Sequence, residues 1–365
     1  MPKVKTTPDI WVIVATVMLL LVGVLMVYSA SAVISYHKFD DSLFYAKRQL
    51  LFAVLGVLAM LWVMRMDYSV LRKWSKPGLI VCFILLVIVL IPGVGILRNG
   101  ARSWLGIGAF SIQPSEFMKL AMILFLAHWL ADHQRDLPRL TSGLLPPLTL
   151  LTLAFGLIML QPDLGTGSVL FATGLTMIFV AGMRIKHLMA MIGLGVVGFI
   201  ALVVSAPYRI KRITAFLDPW QDSLGSGYQI IQSLYAIGPG GLMGTGYGMS
   251  KQKHLYLPEP QTDFIFSVAA EELGFLGGGT IIVLFAILVW RGLHIAFNAP
   301  DLPGTLMAVG ITGMLGIQAI MNIGVVTGAF PVTGITLPLL SYGGSSLTLT
   351  LLAVGVLLNI SRYTR

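Results

Sequence analysis

The chain has 365 residues, 56% of them hydrophobic and 11% charged, with a net charge of +9. Soluble proteins carry about 25% charged residues, so this composition excludes a soluble globular surface; a mean hydropathy of +0.88 points to a protein embedded in a membrane. The single cysteine, Cys82, excludes an intrachain disulfide framework and a cysteine-based metal site, and the positive charge, with no basic run interleaved with aromatics, reads as membrane topology rather than nucleic-acid binding.

Lys3 and Lys5 precede an apolar run from Ile10 to Tyr28, and Ala30-Ser31-Ala32 resembles a signal-peptide cleavage site. The run exceeds the ~7–15 residues of a signal peptide's apolar region and suits a span of about 20, so it is expected to be a first, uncleaved helix. Apolar windows fall at 10–33, 50–66, 78–96, 116–131, 143–160, 167–183, 187–205, 274–290, 304–326 and 338–360. They predict an all-α polytopic membrane protein: a single membrane domain over 1–365, about ten transmembrane helices, and both termini on one side.

With the termini in the cytoplasm, the inner segments hold Lys3, Lys5, Arg65, Arg72, Lys73, Lys76, Arg135, Arg139, Arg184, Lys186, Arg291, Arg362 and Arg365. The short outer segments hold only Lys38, Lys47, Arg48, Arg98, Arg102 and Lys119, which satisfies the positive-inside rule. Most acids fall on or near the outer face, so that face mixes both signs and is expected to carry a polar site. The one long hydrophilic stretch, 206–263, is expected to be an extracytoplasmic loop between spans seven and eight, and loops of this length are usually functional. Its glycine-rich part, GPGGLMGTGYG, lacks the G-K-[ST] of a nucleotide loop and reads as tight turns and close backbone approach. GYQIIQSLYAIG has the apolar spacing of a short interfacial helix.

Several polar motifs sit at outer helix ends. Ser115 is expected to cap span four, with Glu116 in the first turn and Lys119 three residues on, sharing a face. Such a pair is either a structural ion pair or an intramembrane functional site. Asp163, in QPDLGTG, is placed to cap span six. Arg48 and Arg102 offer planar forks suited to phosphate or carboxylate, or snorkel to lipid headgroups. In LPEPQTDFIFS, Glu259 lies between Pro258 and Pro260, and Asp263 stands directly ahead of an apolar run that carries Ser267 and Glu271 on one helical face. A carboxylate at the rim of an apolar cavity can take a proton from a sugar hydroxyl or hold a divalent cation. Beyond Asn322, the connector from Thr327 to Leu337 is uncharged and contains Gly328, Pro331 and Gly334. It is expected to be a non-helical segment, which at membrane depth needs cover from protein or a water-filled cavity. Ser341, Ser345 and Ser346 suit hydrogen bonds between helices. The histidines show no metal-ligand spacing.

QPSEFMKLA, QPDLGTG, GSGYQIIQS, LPEPQTDFIFSVAAEELGF, NIG and LPLLSYGGSS, in this order, resemble the SEDS family, the RodA and FtsW group, along nearly the whole chain. The resemblance implies a peptidoglycan glycosyltransferase that polymerises lipid II at the outer face of the bacterial cytoplasmic (inner) membrane, in division, elongation or spore cortex synthesis. It maps the family's essential aspartate onto Asp263, its acid and lysine onto Glu116 and Lys119, and a further aspartate onto Asp163. Where the family often reads PEAH, this chain reads Pro258-Glu259-Pro260-Gln261, so no histidine is required there. The partners implied are lipid II, undecaprenyl-pyrophosphate-linked glycan and a class B penicillin-binding protein as transpeptidase. The expected site is Asp263 as catalytic base, with Arg48, Arg102, Glu116, Lys119, Asp163, Glu259, Ser267 and Ser345 toward the substrate. No cofactor is demanded; a bound Mg2+ or Mn2+, with Asp263 as ligand, would share the pyrophosphate charge. Two other readings are a transporter that flips lipid II and a non-catalytic scaffold for a cell-wall synthase. Charges gathered near one face favour surface chemistry over a path through the bilayer.

Overall fold

A computed structural model of the chain describes residues 7–67, 69–98, 100–107, 110–204 and 207–364. Lys3, Lys5 and Arg365, used above for orientation, and position 206, the expected start of the long loop, lie outside the described residues. The chain is a multi-pass helical membrane protein. The expected spans appear as α1 (Ile10–Phe39), α2 (Phe44–Arg65), α3 (Ser69–Ile88), α4 (Pro114–Asp132), α5 (Leu145–Met159), α6 (Leu164–Val180) and α7 (Ile185–Val204). After α8 (Pro207–Leu217) and α9 (Tyr228–Ile237), which lie between spans seven and eight, come α10 (Ile265–Phe297), α11 (Leu302–Val326) and α12 (Gly344–Ser361). Among the described residues, α1, α2, α10, α11, α12 and the segment Leu140–Met159 are each long and apolar enough to cross a membrane by themselves. The apolar α6 and the apolar part of α7 are shorter, and α3 and α4 carry charged residues.

α11 and α12 run through the middle of the bundle. α12 packs along α2, and α11 lies against α4, α6 and α10. Large apolar side chains such as Trp11, Leu25, Trp62, Val197 and Trp290 point outward; in water such a surface would aggregate, and in lipid it is the matching solvent. The first and last helices meet at one end of the bundle. The Asp9 side chain caps α1 by accepting from the amides of Trp11 and Val12, its own amide donates to Ser361 Oγ at 3.1 Å, and Arg291 Nε donates to its carboxylate at 3.0 Å.

The opposite end is built from three irregular pieces. The first is a small antiparallel sheet of β1 (Ile96–Arg98), β2 (Ala101–Ile107) and β3 (Phe110–Ile112), in that order, with Leu97 opposite Arg102 and Leu105 opposite Ile112. This sheet is an addition to the helical architecture expected from the sequence. The second is a break in α10 at Gly274, whose φ is 68°. The amides freed by the break, Phe275 N and Leu276 N, donate to the carbonyls of Gly241 and Leu242, and Thr245 N and Gly246 N donate back to Glu271 O and Glu272 O. The glycine-rich loop is thus laid directly on helix backbone, and a Cβ at Gly274 would lie 2.2 Å from Gly244 N. The third piece is the extended connector between α11 and α12, whose Ile335, Leu337, Leu339 and Leu340 are buried. Protein covers this non-helical backbone, as its depth requires.

Candidate active site

Asp263 lies half-buried two residues before α10; the cap position falls on Phe264, one residue later. The backbone around Asp263 is gripped by the connector and α11. Ser341 Oγ donates to Thr262 O at 2.6 Å, Tyr342 N donates to Gln261 O at 2.8 Å, and Asn322 Nδ2 donates to Asp263 O at 2.8 Å. The same Asn322 amide donates to Ile335 O at 2.7 Å. Gly334 is close enough that a Cβ there would sit 3.7 Å from Asp263 Oδ2. The connector therefore forms one wall beside the Asp263 carboxylate.

The second charged group lies on α4. Lys119 Nζ pairs with Glu116 Oε1 at 2.9 Å, and both side chains are more than nine-tenths shielded. Lys119 also donates to Gln318 Oε1 at 3.1 Å, and Gln318 Nε2 donates to Thr336 O at 3.1 Å. Lys119 forms the charged edge of a narrow apolar seam lined by Met122, Ile123 and Leu126 of α4 and by Leu170, Thr173 and Met177 of α6. Ser115 does not cap α4. Pro114 holds the first helical position, where its missing N–H costs nothing, and this moves the cap to Gln113.

Asp163 does cap α6: its Oδ1 accepts from Thr166 N at 3.0 Å and its Oδ2 from Gln113 Nε2 at 3.0 Å. Burial pushes its carboxyl above the usual carboxylate range, against the opposing pull of the Thr166 hydrogen bonds. Two residues on, Gly165 is where the connector crosses α6; a Cβ there would fall 2.5 Å from Ile335 Cγ1 and 2.8 Å from Thr333 O. A side chain at this point would push the connector away from Asp263.

The other expected residues divide into two sets. Ser345 joins the site, accepting from Gln113 N at 3.3 Å. Arg48 stacks over the Phe44 ring at 4.5 Å on α2, next to Gln49, whose amide donates to Ser341 O at 3.2 Å. Arg102 lies in β2, next to Ser103, whose hydroxyl donates to Gln161 O at 3.3 Å, so the sheet borders the Asp163 turn. Two residues turn to other partners. Glu259, at φ 50°, accepts from Gln261 Nε2 and Thr262 Oγ1, both at 3.2 Å, within its own turn. Ser267 is fully buried and meets Ser233 Oγ of α9 at 2.7 Å. Gln318 was not among the residues expected at the site, although a polar amide on an otherwise apolar helix is the signal that could have found it. Equally unexpected is the buried cluster in which Glu272 accepts from Ser29 Oγ at 2.7 Å, Gly248 N at 3.0 Å and Lys253 Nζ at 3.0 Å.

The model of the family described as cell cycle protein, covering FtsW, RodA and SpoVE, matches residues 10–365. The chain belongs to this family. Stage V sporulation protein E of Bacillus subtilis (strain 168) is 62% identical to it over 361 residues, spanning 99% of each chain. The probable peptidoglycan glycosyltransferase FtsW of Trichlorobacter lovleyi is 47% identical over 356 residues, spanning 97% of this chain and 93% of the relative. Among solved structures, a chain of a peptidoglycan synthase complex that coordinates polymerization and crosslinking superposes with a TM-score of 0.81 at 33% identity, covering 97% of this chain and 98% of that one. The rod shape determining protein RodA of Thermus thermophilus superposes with a TM-score of 0.72 at 32% identity, covering 97% of both. The family likeness thus extends over the sheet, the broken α10 and the connector as well as the helices.

Proposed function

We propose that this family member is a peptidoglycan glycosyltransferase that polymerises lipid II at the outer face of the cytoplasmic membrane, with both termini inside. The observation that carries the reading is the convergence of three polar elements on one connector at one end of the bundle: the Asp263 motif, the buried Glu116–Lys119 pair and the Asp163 cap. A relative named as a probable peptidoglycan glycosyltransferase, 47% identical across nearly the full chain, supports the same reaction class.

In the reaction, Asp263 takes the proton of the acceptor's N-acetylglucosamine 4-hydroxyl. The freed oxygen forms a bond to the donor's anomeric carbon as the bond to the undecaprenyl pyrophosphate breaks. One base opposite a leaving group inverts the anomeric centre, as in inverting glycosidases. Negative charge grows on the departing pyrophosphate, and Lys119, Arg48 and Arg102 are cations that this end of the bundle offers to it. Among the described residues no three His, Cys, Asp or Glu side chains gather into a cation cage. A Mg2+ or Mn2+ would therefore be held by Asp263 together with pyrophosphate oxygens, the manner in which Mg2+ commonly binds, and would neutralise part of the leaving-group charge. A class B penicillin-binding protein is the proposed partner, supported by the similar chain in a synthase complex that couples polymerization to crosslinking.

The test uses liposomes holding the purified chain and the partner, with lipid II in both leaflets. Glycan polymer without net transfer of lipid II between leaflets is the expected result. Transfer without polymer would replace the polymerase with a lipid II transporter.

A further inference from the structure

We infer that Gln318 and Asn322 are positioning residues that fix Lys119 and Asp263 relative to one another, an inference that rests on the polymerase reading above. The two amides lie four residues apart on α11 and share a helix face. They are 2% and 1% exposed, respectively. A buried amide is costly unless its hydrogen bonds are made; Gln318 Oε1 and the NH2 groups of both residues are engaged by the two charged motifs and the connector between them, while Asn322 Oδ1 is buried without a hydrogen-bond partner.

The chemistry of the partners fixes the orientation of each amide. Asn322 faces two carbonyls, Asp263 O at 2.8 Å and Ile335 O at 2.7 Å. Only an NH2 group can donate to both. Gln318 faces an ammonium on one side, Lys119 Nζ at 3.1 Å, and a carbonyl on the other, Thr336 O at 3.1 Å. Its oxygen must therefore point to Lys119 and its nitrogen to Thr336. Ile335 and Thr336 are consecutive, so the two amides seize adjacent peptide units of the connector. The result is an unbroken chain of contacts from the Lys119 ammonium, through Gln318, Thr336, Ile335 and Asn322, to the backbone of Asp263. Glu116 holds Lys119 from the other side at 2.9 Å.

Each amide acts through a neighbour: Asn322 grips the backbone of the base, and Gln318 grips the proposed cation. A displacement of the connector moves both reacting groups together. Leucine is close in size to either amide and keeps the packing, but it leaves the carbonyls of Asp263, Ile335 and Thr336 without these donors.

The experiment compares Asn322→Leu, Gln318→Leu, the double variant and the milder Asn322→Ser, full-length and purified with a class B penicillin-binding protein from the same organism. Polymerisation of lipid II is measured per folded molecule, with the folded fraction taken from size exclusion. Each leucine variant is expected to lower kcat at least tenfold with KM within threefold of wild type. The double variant should be no slower than the worse single, because coupled residues are non-additive. A kcat within twofold of wild type, or losses that multiply in the double variant, would overturn the inference. If Asn322→Leu does not fold, Asn322→Ser takes its place, with a smaller loss of kcat and the same KM rule. A second measurement keeps the inference independent of activity: the rate at which a water-soluble carbodiimide labels the Asp263 carboxyl, read by mass spectrometry. A labelling rate shifted threefold or more in the Asn322 variant supports positioning, and an unchanged rate overturns it. Wild-type protein that makes no polymer would sink the polymerase reading, and the labelling result would still decide the role of Asn322.

Discussion

Glu116 and Lys119 form a 2.9 Å ion pair, three residues apart on α4 and shielded from solvent on all sides. A buried pair of this kind contributes little net stability, because desolvation offsets its attraction, but breaking it by removing one partner costs about 3–5 kcal/mol. Lys119→Met should therefore lower thermal stability in detergent by an amount in that range, and the double variant Glu116→Gln with Lys119→Met should regain most of it. Polymer yield should stay low in both variants, since neither has the cation. A double variant that recovers stability and polymerises at the wild-type rate would show that the pair is structural only.

Gly274 breaks α10 at φ 68°, and a Cβ there would lie 2.2 Å from Gly244 N. Gly274→Ala should be destabilising twice over, once for the left-handed backbone and once for the collision, because the neighbouring Gly244 atoms are backbone and cannot swing aside. The glycine-rich loop should lift off the helix. Limited proteolysis should then cut within 241–253 faster than in wild type, while cleavage elsewhere is unaltered. Equal cutting rates would show that the loop is held by something other than this backbone contact.

The helices were legible because a membrane span is a long apolar run, and ten such windows stand out. The sheet was not, because its strands are three to seven residues long and lie largely in the short segment between the third and fourth apolar windows. A signal was present all the same: Asn99-Gly100 is a strong hairpin dipeptide, and Arg98 pairs with Ala101 directly across it. At the site, Asp163 was readable as a cap because capping is local, while Ser115 was misplaced because Pro114 takes the first helical position. The pairing of Lys253 with Glu272 and Ser29 joins residues 19 and 224 positions away from the lysine, and no local pattern encodes it. Asn322 was visible as a polar residue late in span nine, but its bonds reach Asp263 and Ile335, 59 and 13 positions distant.

That long-range cluster carries its own prediction. Lys253 Nζ lies 3.0 Å from Glu272 Oε1 and donates to Gly248 O at 2.6 Å, and both side chains are buried. Lys253→Met strands the Glu272 charge and should cost about 3–5 kcal/mol, read as a lower melting temperature in detergent. Pairing Lys253→Met with Glu272→Gln should restore much of the loss. If the single variant melts with wild type, the ion pair does not hold the loop to α1 and α10.

The central claim is that the carboxylate of Asp263 performs the proton transfer. The most direct measurement is glycan polymer formed from lipid II by wild type and by Asp263→Ala, each purified with the class B penicillin-binding protein and matched for folding by size exclusion and melting temperature. Polymer from wild type, and a loss of at least about a hundredfold in the variant, the scale of a missing general base, is the predicted result. Equal polymer from both proteins would contradict it and remove Asp263 from the chemical step.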